Sequence, residues 1–121
     1  MHTTNVKIRE FEEKVRSLGC CVTGALNDVQ IHHVLGRKGK HNKVLVGPVF
    51  ILPLHKDYHM ETGDYQNAWH KNKKGFISEF GLPGKLFLHK VSEDFISKFG
   101  RDDYVRFVLP EQIEAIGDYR W

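Results

Sequence analysis

A chain of 121 residues, 40% hydrophobic and 27% charged, has the make-up of one globular domain able to bury a core without staples. No window approaches the apolar run that spans a bilayer, and Met1 to Lys7 carries neither a leader nor a lipidation pattern; a cytoplasmic protein with no membrane partner is expected. The net charge of +3 is mild, yet the cations cluster, with Arg37, Lys38, Lys40 and Lys43 in one stretch and Lys71, Lys73 and Lys74 in another.

Residues 6–18 place Ile8, Phe11, Val15 and Leu18 at helical spacing, with Glu10–Lys14 and Glu12–Arg16 as i, i+4 pairs and Gly19 as the stop. Cys20 and Cys21 are adjacent, and a bridge between neighbours is strained. They read as buried small residues or as one remnant zinc ligand. Val29 to Leu35 is a strand candidate. Val44 to Leu52, rich in β-branched residues, reads as the second strand of a hairpin, broken or bulged at Gly47-Pro48. Leu54 to Thr62 reads as a short helix ended by Gly63, and 73–80 as another stopped by Gly81. Pro83-Gly84 suits a turn. Val91 to Phe99 has helical spacing with Gly100 behind it, and Pro110 opens a last helical turn or two to Ile116. Phe76 to Gly81 is echoed by Phe95 to Gly100, which two helix stops explain.

The histidines carry the chemical signal. Of 8, six lie between residues 32 and 70: His32, His33, His41, His55, His59 and His70. Adjacent histidines ending one strand, followed by His55 and His59 at helical i, i+4 spacing, can set a metal ion beside a general base. Imidazole suits both tasks, being a base near neutrality and a good ligand for borderline metals. Successive strand residues face opposite ways, so His32 and His33 face one site only if the strand ends, twists or bulges there, as Gly36 close behind permits; they are expected to divide these roles.

Leu18-Gly19-Cys20, Gln30-Ile31-His32-His33, Pro53-Leu54 with His59, Trp69-His70 and Phe76 to Gly81 together resemble HNH (ββα-metal, His-Me finger) nucleases. Within that superfamily the pattern is most similar to the phage recombination-enhancement (Ref-type), RecA-dependent nuclease family. It runs from about Ile8 to Gly81. The resemblance implies an α+β domain over 1–121, with helix 6–18, a ββα-metal core at about 28–63 and a helical part at 73–121. It implies a phage-encoded, metal-dependent DNA endonuclease of recombination or repair, acting in a bacterial cytoplasm with DNA and a RecA-like filament as partners. His33 would be the general base, His32 and His59 ligands of magnesium, manganese or zinc, and His70 a further ligand or phosphate contact. His55 would be a third ligand, a supporting group or a solvent-facing residue. Arg37, Lys38, Lys40, Lys43, Lys71 and Lys73 would be backbone contacts to DNA.

Thr23 stands where the family carries the second cysteine of a Cys-x-x-Cys pair, which leaves Cys20 and His55 as remnants of a structural zinc site. The middle residue of the HNH pattern has no clear match: Phe50 occupies the simplest register, and His41 and Asn42 lie upstream. The reading from another class is a non-catalytic DNA-binding module whose histidines hold a structural zinc.

Overall fold

A computed structural model describes residues 5–120, with side chains from residue 6 onward, so part of the N-terminal stretch lies outside the described residues. The first helix, α1 (Asn5–Arg16), forms where the apolar spacing places it, burying Phe11 and Val15. Gly19, with φ of +88°, turns the chain away from the helix, and an added Cβ would press on the Ala25 carbonyl oxygen at 3.0 Å.

Strand β1 (Val29–His33) pairs antiparallel with β4 (Ile51–His55), Val29 opposite His55 and His33 opposite Ile51. Ile51 to Leu54 are all buried, so β4 reads as an unbroken apolar run. Pro53 is tolerated because β4 has only one ladder partner; its carbonyl accepts from the Cys21 N–H at 2.9 Å.

The expected hairpin is corrected here. Val44 to Leu52 is not one strand: β2 (Lys40–His41) and β3 (Val44–Leu45) form a small hairpin of their own, and β1 pairs with the later β4. The reason lies at Gly47. Its N–H and that of Val46 both bond the Gly39 carbonyl, and a Cβ on Gly47 would stand 2.1 Å from the Gly36 oxygen. Two loop segments therefore touch backbone to backbone, and the strand direction is lost there.

The helix expected over Leu54 to Thr62 shrinks to α2 (Lys56–His59), one turn directly after β4. Leu54 and His55 belong to the strand instead. α3 (Lys73–Phe80) lies where the sequence places it, capped by the Asn72 side chain, which accepts from the Gly75 N–H at 3.0 Å. Pro83-Gly84 is not a turn but the start of α4 (Pro83–Leu86), Pro sitting at the first helical position. A π-helical turn, Phe87–Val91, joins it to α5 (Ser92–Phe99). α6 (Arg101–Phe107), unforeseen in the sequence, begins after Gly100 with Asp102 and Asp103 in its first turn. α7 (Pro110–Asp118) is longer than expected.

The result is a small mixed domain, helices around two short antiparallel strand pairs, compatible with the α+β expectation. Phe11 of α1 meets Phe95 of α5 at 5.5 Å and Phe107 of α6 at 5.2 Å between ring centroids. Phe50 meets Phe87 and Tyr119, each at 5.8 Å. No helix among the described residues is long and apolar enough to cross a membrane.

Candidate functional site

Strand alternation sends His32 and His33 to opposite sides of β1, and each side gathers its own partners. On the first side His32 is buried next to His59 of α2 and His70 of the following loop. One ring nitrogen from each of the three lies within 4.8 Å of the others. Ring centroids are 4.9 Å apart for His32–His59 and His59–His70, and 5.4 Å for His32–His70. The loop is fastened to α2 by two backbone bonds, Trp69 N–H to the Tyr58 carbonyl at 2.9 Å and His70 N–H to the His59 carbonyl at 3.0 Å. The Trp69 ring then backs His32 at 4.8 Å.

Hydrogen bonds fix which nitrogens are free. The Gln30 side-chain oxygen can only accept, so at 2.8 Å it takes the Nδ1–H of His59. His59 Nε2 is left with its lone pair, 3.2 Å from Nδ1 of His32. Nε2 of His32 is buried and finds no hydrogen-bond partner. A buried polar atom without a partner costs about 1–3 kcal/mol, so the His32 ring is held here at a cost. Burial first, then the neighbouring His59, His70 and His33, lower the His32 pKa to about 3. Burial first, then His70 and His33, lower that of His59 to about 4. Both imidazoles are therefore neutral at physiological pH, as metal ligation requires. Two nitrogens sharing a tetrahedral ion at about 2.0–2.1 Å lie roughly 3.3 Å apart, close to the His32–His59 spacing, so the donor set fits a divalent metal. His70 is exposed, which leaves the group open to solvent on one side.

On the second side His33 bonds Glu12 of α1, Nε2 to Oε2 at 3.0 Å. A carboxylate accepts, so Nε2 carries the proton and Nδ1 keeps the lone pair when the ring is neutral. Burial lowers the His33 pKa, the Glu12 bond and charge oppose that, and Arg37 adds to the lowering. Glu12 was missed as a functional residue. Helical spacing offers it Arg16 as an i, i+4 partner, whereas Arg16 pairs with Glu13 and Glu12 turns inward, only 8% exposed. The signal was present: Glu12 lies four residues after Ile8 and three before Val15, within the apolar stripe. The other expected pair, Glu10–Lys14, forms at 3.5 Å.

The remaining candidates divide. Arg37 and Lys38 line a cleft of about 430 Å³ with His33 and Glu12. Lys40 and Lys43 sit exposed on the β2–β3 hairpin and are not among the residues lining that cleft. Lys71 and Lys73 flank His70; Lys71 donates to the Gly63 carbonyl at 2.6 Å and Lys73 lies 5.3 Å from the centre of the Trp69 ring. His55 does not join the three-histidine group. It ends β4 and caps α2, its Nδ1 accepting from the Asp57 N–H at 3.2 Å, because the strand runs on past the expected end at Leu52 to His55 itself. Cys20 and Cys21 are free and buried, and burial, with Cys20 beside it, pushes the Cys21 thiol far above its ordinary value. Cys20 and His55 belong to no three-ligand group among the described residues. Phe50 is fully buried, His41 packs edge-on to Tyr119 at 5.3 Å, and Asn42 bonds Asp118 at 3.4 Å.

Scans against protein-family models, curated proteins and solved structures gave no match. What the site can do follows from its own geometry.

Proposed function

We propose that the protein is a metal-dependent DNA endonuclease of HNH type, hydrolysing phosphodiester bonds with His33 as general base. The observation that carries this reading is the division of the histidine pair. His32 joins His59 and His70 in a group able to hold a metal, while the next residue, His33, is held by Glu12 at the edge of a basic cleft. The order β1, β4, α2, with histidines on β1 and at the end of α2, suits a ββα-metal core.

A water beside His33 gives its proton to Nδ1, and the oxygen adds to phosphorus as the bond to one bridging oxygen breaks. The leaving oxygen takes a proton from solvent. Glu12 keeps the ring in one tautomer and stabilises the imidazolium that forms, in the way a buried carboxylate supports a catalytic histidine elsewhere. Arg37 and Lys38 hold the phosphate backbone without reading sequence. His32, His59 and His70 would hold a divalent ion across β1 from His33, near enough that His33 already acts on the charge of His32 and His59, and that ion would supply positive charge to help offset what develops on the phosphate. Action in recombination, with a recombinase filament as partner, is part of the same proposal and rests on the sequence resemblance.

The test is cutting of single- and double-stranded DNA by purified protein with magnesium, manganese or zinc, with and without a recombinase filament. Cutting is expected, and its loss in His33→Ala. No cutting under any of these conditions would refute the enzyme; full cutting by His33→Ala would refute the role of the base. The burial of His32 and His59 favours one competing reading, a DNA-binding module with a structural metal. Circular dichroism separates the two, because a chelator unfolds a domain held by structural zinc and leaves the helices of an open catalytic site in place.

A further inference from the structure

The cleft beside His33 lies between α1 and the loop that follows β1, and its lining goes beyond the residues used above. Arg9, one turn before Glu12 on α1, faces the same space as Arg37 and Lys38. The other cations of that helix are engaged: Lys7 over the Phe107 ring at 6.0 Å, Lys14 with Glu10 and Asp103, and Arg16 with Glu13. Arg9, Arg37 and Lys38 have no carboxylate partner among the described residues. Three cations thus meet one carboxylate, Glu12, and its Oε2 is already engaged by His33. Such an excess suits an anion, and two guanidinium forks suit the oxygens of a phosphate. The cleft is not purely ionic. Ile8 and the buried Pro48 line it too, and an inorganic ion would leave them without a partner. At about 430 Å³ it falls in the range of roughly 300–1,000 Å³ that takes a small organic ligand.

We propose that this cleft is a nucleotide subsite, in which Arg9, Arg37 and Lys38 take the phosphate while Ile8 and Pro48 face the sugar or base. Its role, though not its ligand, rests on the nuclease reading: a strand seated there carries a phosphate past His33. The loop arm of the site is prebuilt, since the Gly36–Gly39 turn and the Gly39 carbonyl bonds to Val46 and Gly47 hold the backbone that bears Arg37 and Lys38.

The experiment is titration of the whole protein, in chelator so that no metal takes part, with deoxyadenosine 5′-monophosphate, inorganic phosphate and deoxyadenosine. The monophosphate should bind at least tenfold more tightly than inorganic phosphate, and the nucleoside should not bind in the same concentration range. Arg9→Ala should weaken monophosphate binding at least tenfold, and Lys85→Ala, on a distant exposed site, should leave it unchanged. Arg9 is exposed on a helix and alanine is the best helix former, so this variant keeps its fold, as circular dichroism would verify. Equal binding of phosphate and monophosphate, or binding indifferent to Arg9→Ala, would overturn the proposal. Protein that cuts DNA but takes up no monophosphate loses the subsite and keeps the nuclease. Protein that binds through Arg9 but cuts nothing keeps the subsite and loses the nuclease.

Discussion

At His59 a single hydrogen bond decides which nitrogen can act. With Nδ1–H held by the Gln30 oxygen, Nε2 is left to face His32. Groups that orient a metal-binding histidine are commonly worth 10–100-fold in metal affinity. Gln30→Ala is therefore expected to weaken binding of zinc or manganese by about that factor, read by chelator competition; unchanged affinity would show that Gln30 sets nothing. A second expectation concerns protons. His32 and His59 have folded pKa values of about 3 and about 4, below the ordinary 6.5, because burial comes first and the surrounding His70, His33 and, for His32, Lys73 add to it. Unfolded chains then take up protons before folded ones do. Stability of the metal-free protein is fully present above about pH 6.5 and is lost as pH falls towards 4, by up to about 3 kcal/mol per pH unit for the two rings together. Urea midpoints that stay level across that interval would contradict the burial argument. The His32, His59 and His70 group was legible as a set because histidines are rare and were concentrated in one part of the chain. Glu12 was not, because a carboxylate on a helix has many surface explanations and its true partner stands 21 residues away.

Among the elements, the boundary between β4 and α2 shows what sequence patterning cannot resolve. Ile51-Leu52-Pro53-Leu54 is a short apolar run, and such a run has no periodicity to separate strand from helix. Pro53 suggests the opening of a helix; in the fold it occupies a strand with only one ladder partner, where its missing N–H costs nothing. His55 changes role with that one decision, from a candidate ligand at i, i+4 from His59 to the cap of a single turn. By contrast α3 and α5 end at Gly81 and Gly100, where φ is +105° and +95°, so those stops were legible. The loop of residues 36–47 depends on Gly47 for a different reason, the backbone of Gly36, Arg37 and Gly39 filling the space that an added Cβ would need. Gly47→Ala forces these backbones apart. A loss of about 1–3 kcal/mol in denaturant unfolding is expected and, on the proposed nuclease reading, weaker DNA binding as Arg37 and Lys38 shift. Wild-type stability in this variant would mean that the loop yields freely.

Across the whole molecule, the C-terminal helices, whose sequence suggests no role, hold the His33 side of the site. Glu12 and Arg9 ride on α1, and α1 is anchored by Phe11 against Phe95 and Phe107, with Lys14 paired to Asp103 and Glu10 to Arg106. The three-histidine group draws instead on β1, α2 and the loop before α3. Phe95→Ala should cost about 3–5 kcal/mol of stability and, in protein still folded at low temperature, reduce cutting while metal affinity persists. Equal losses of both would show that the two sides are not separately supported. The alternation of β1 has one more consequence, for how the gene can change. Removing a single codon within that strand would turn every later side chain over, carrying His33 in among His59 and His70 and Val34 into the cleft. A point substitution here changes one side chain, whereas an insertion or deletion moves both sides of the strand at once, so changes of length should be tolerated only in the connecting segments on either side of β1.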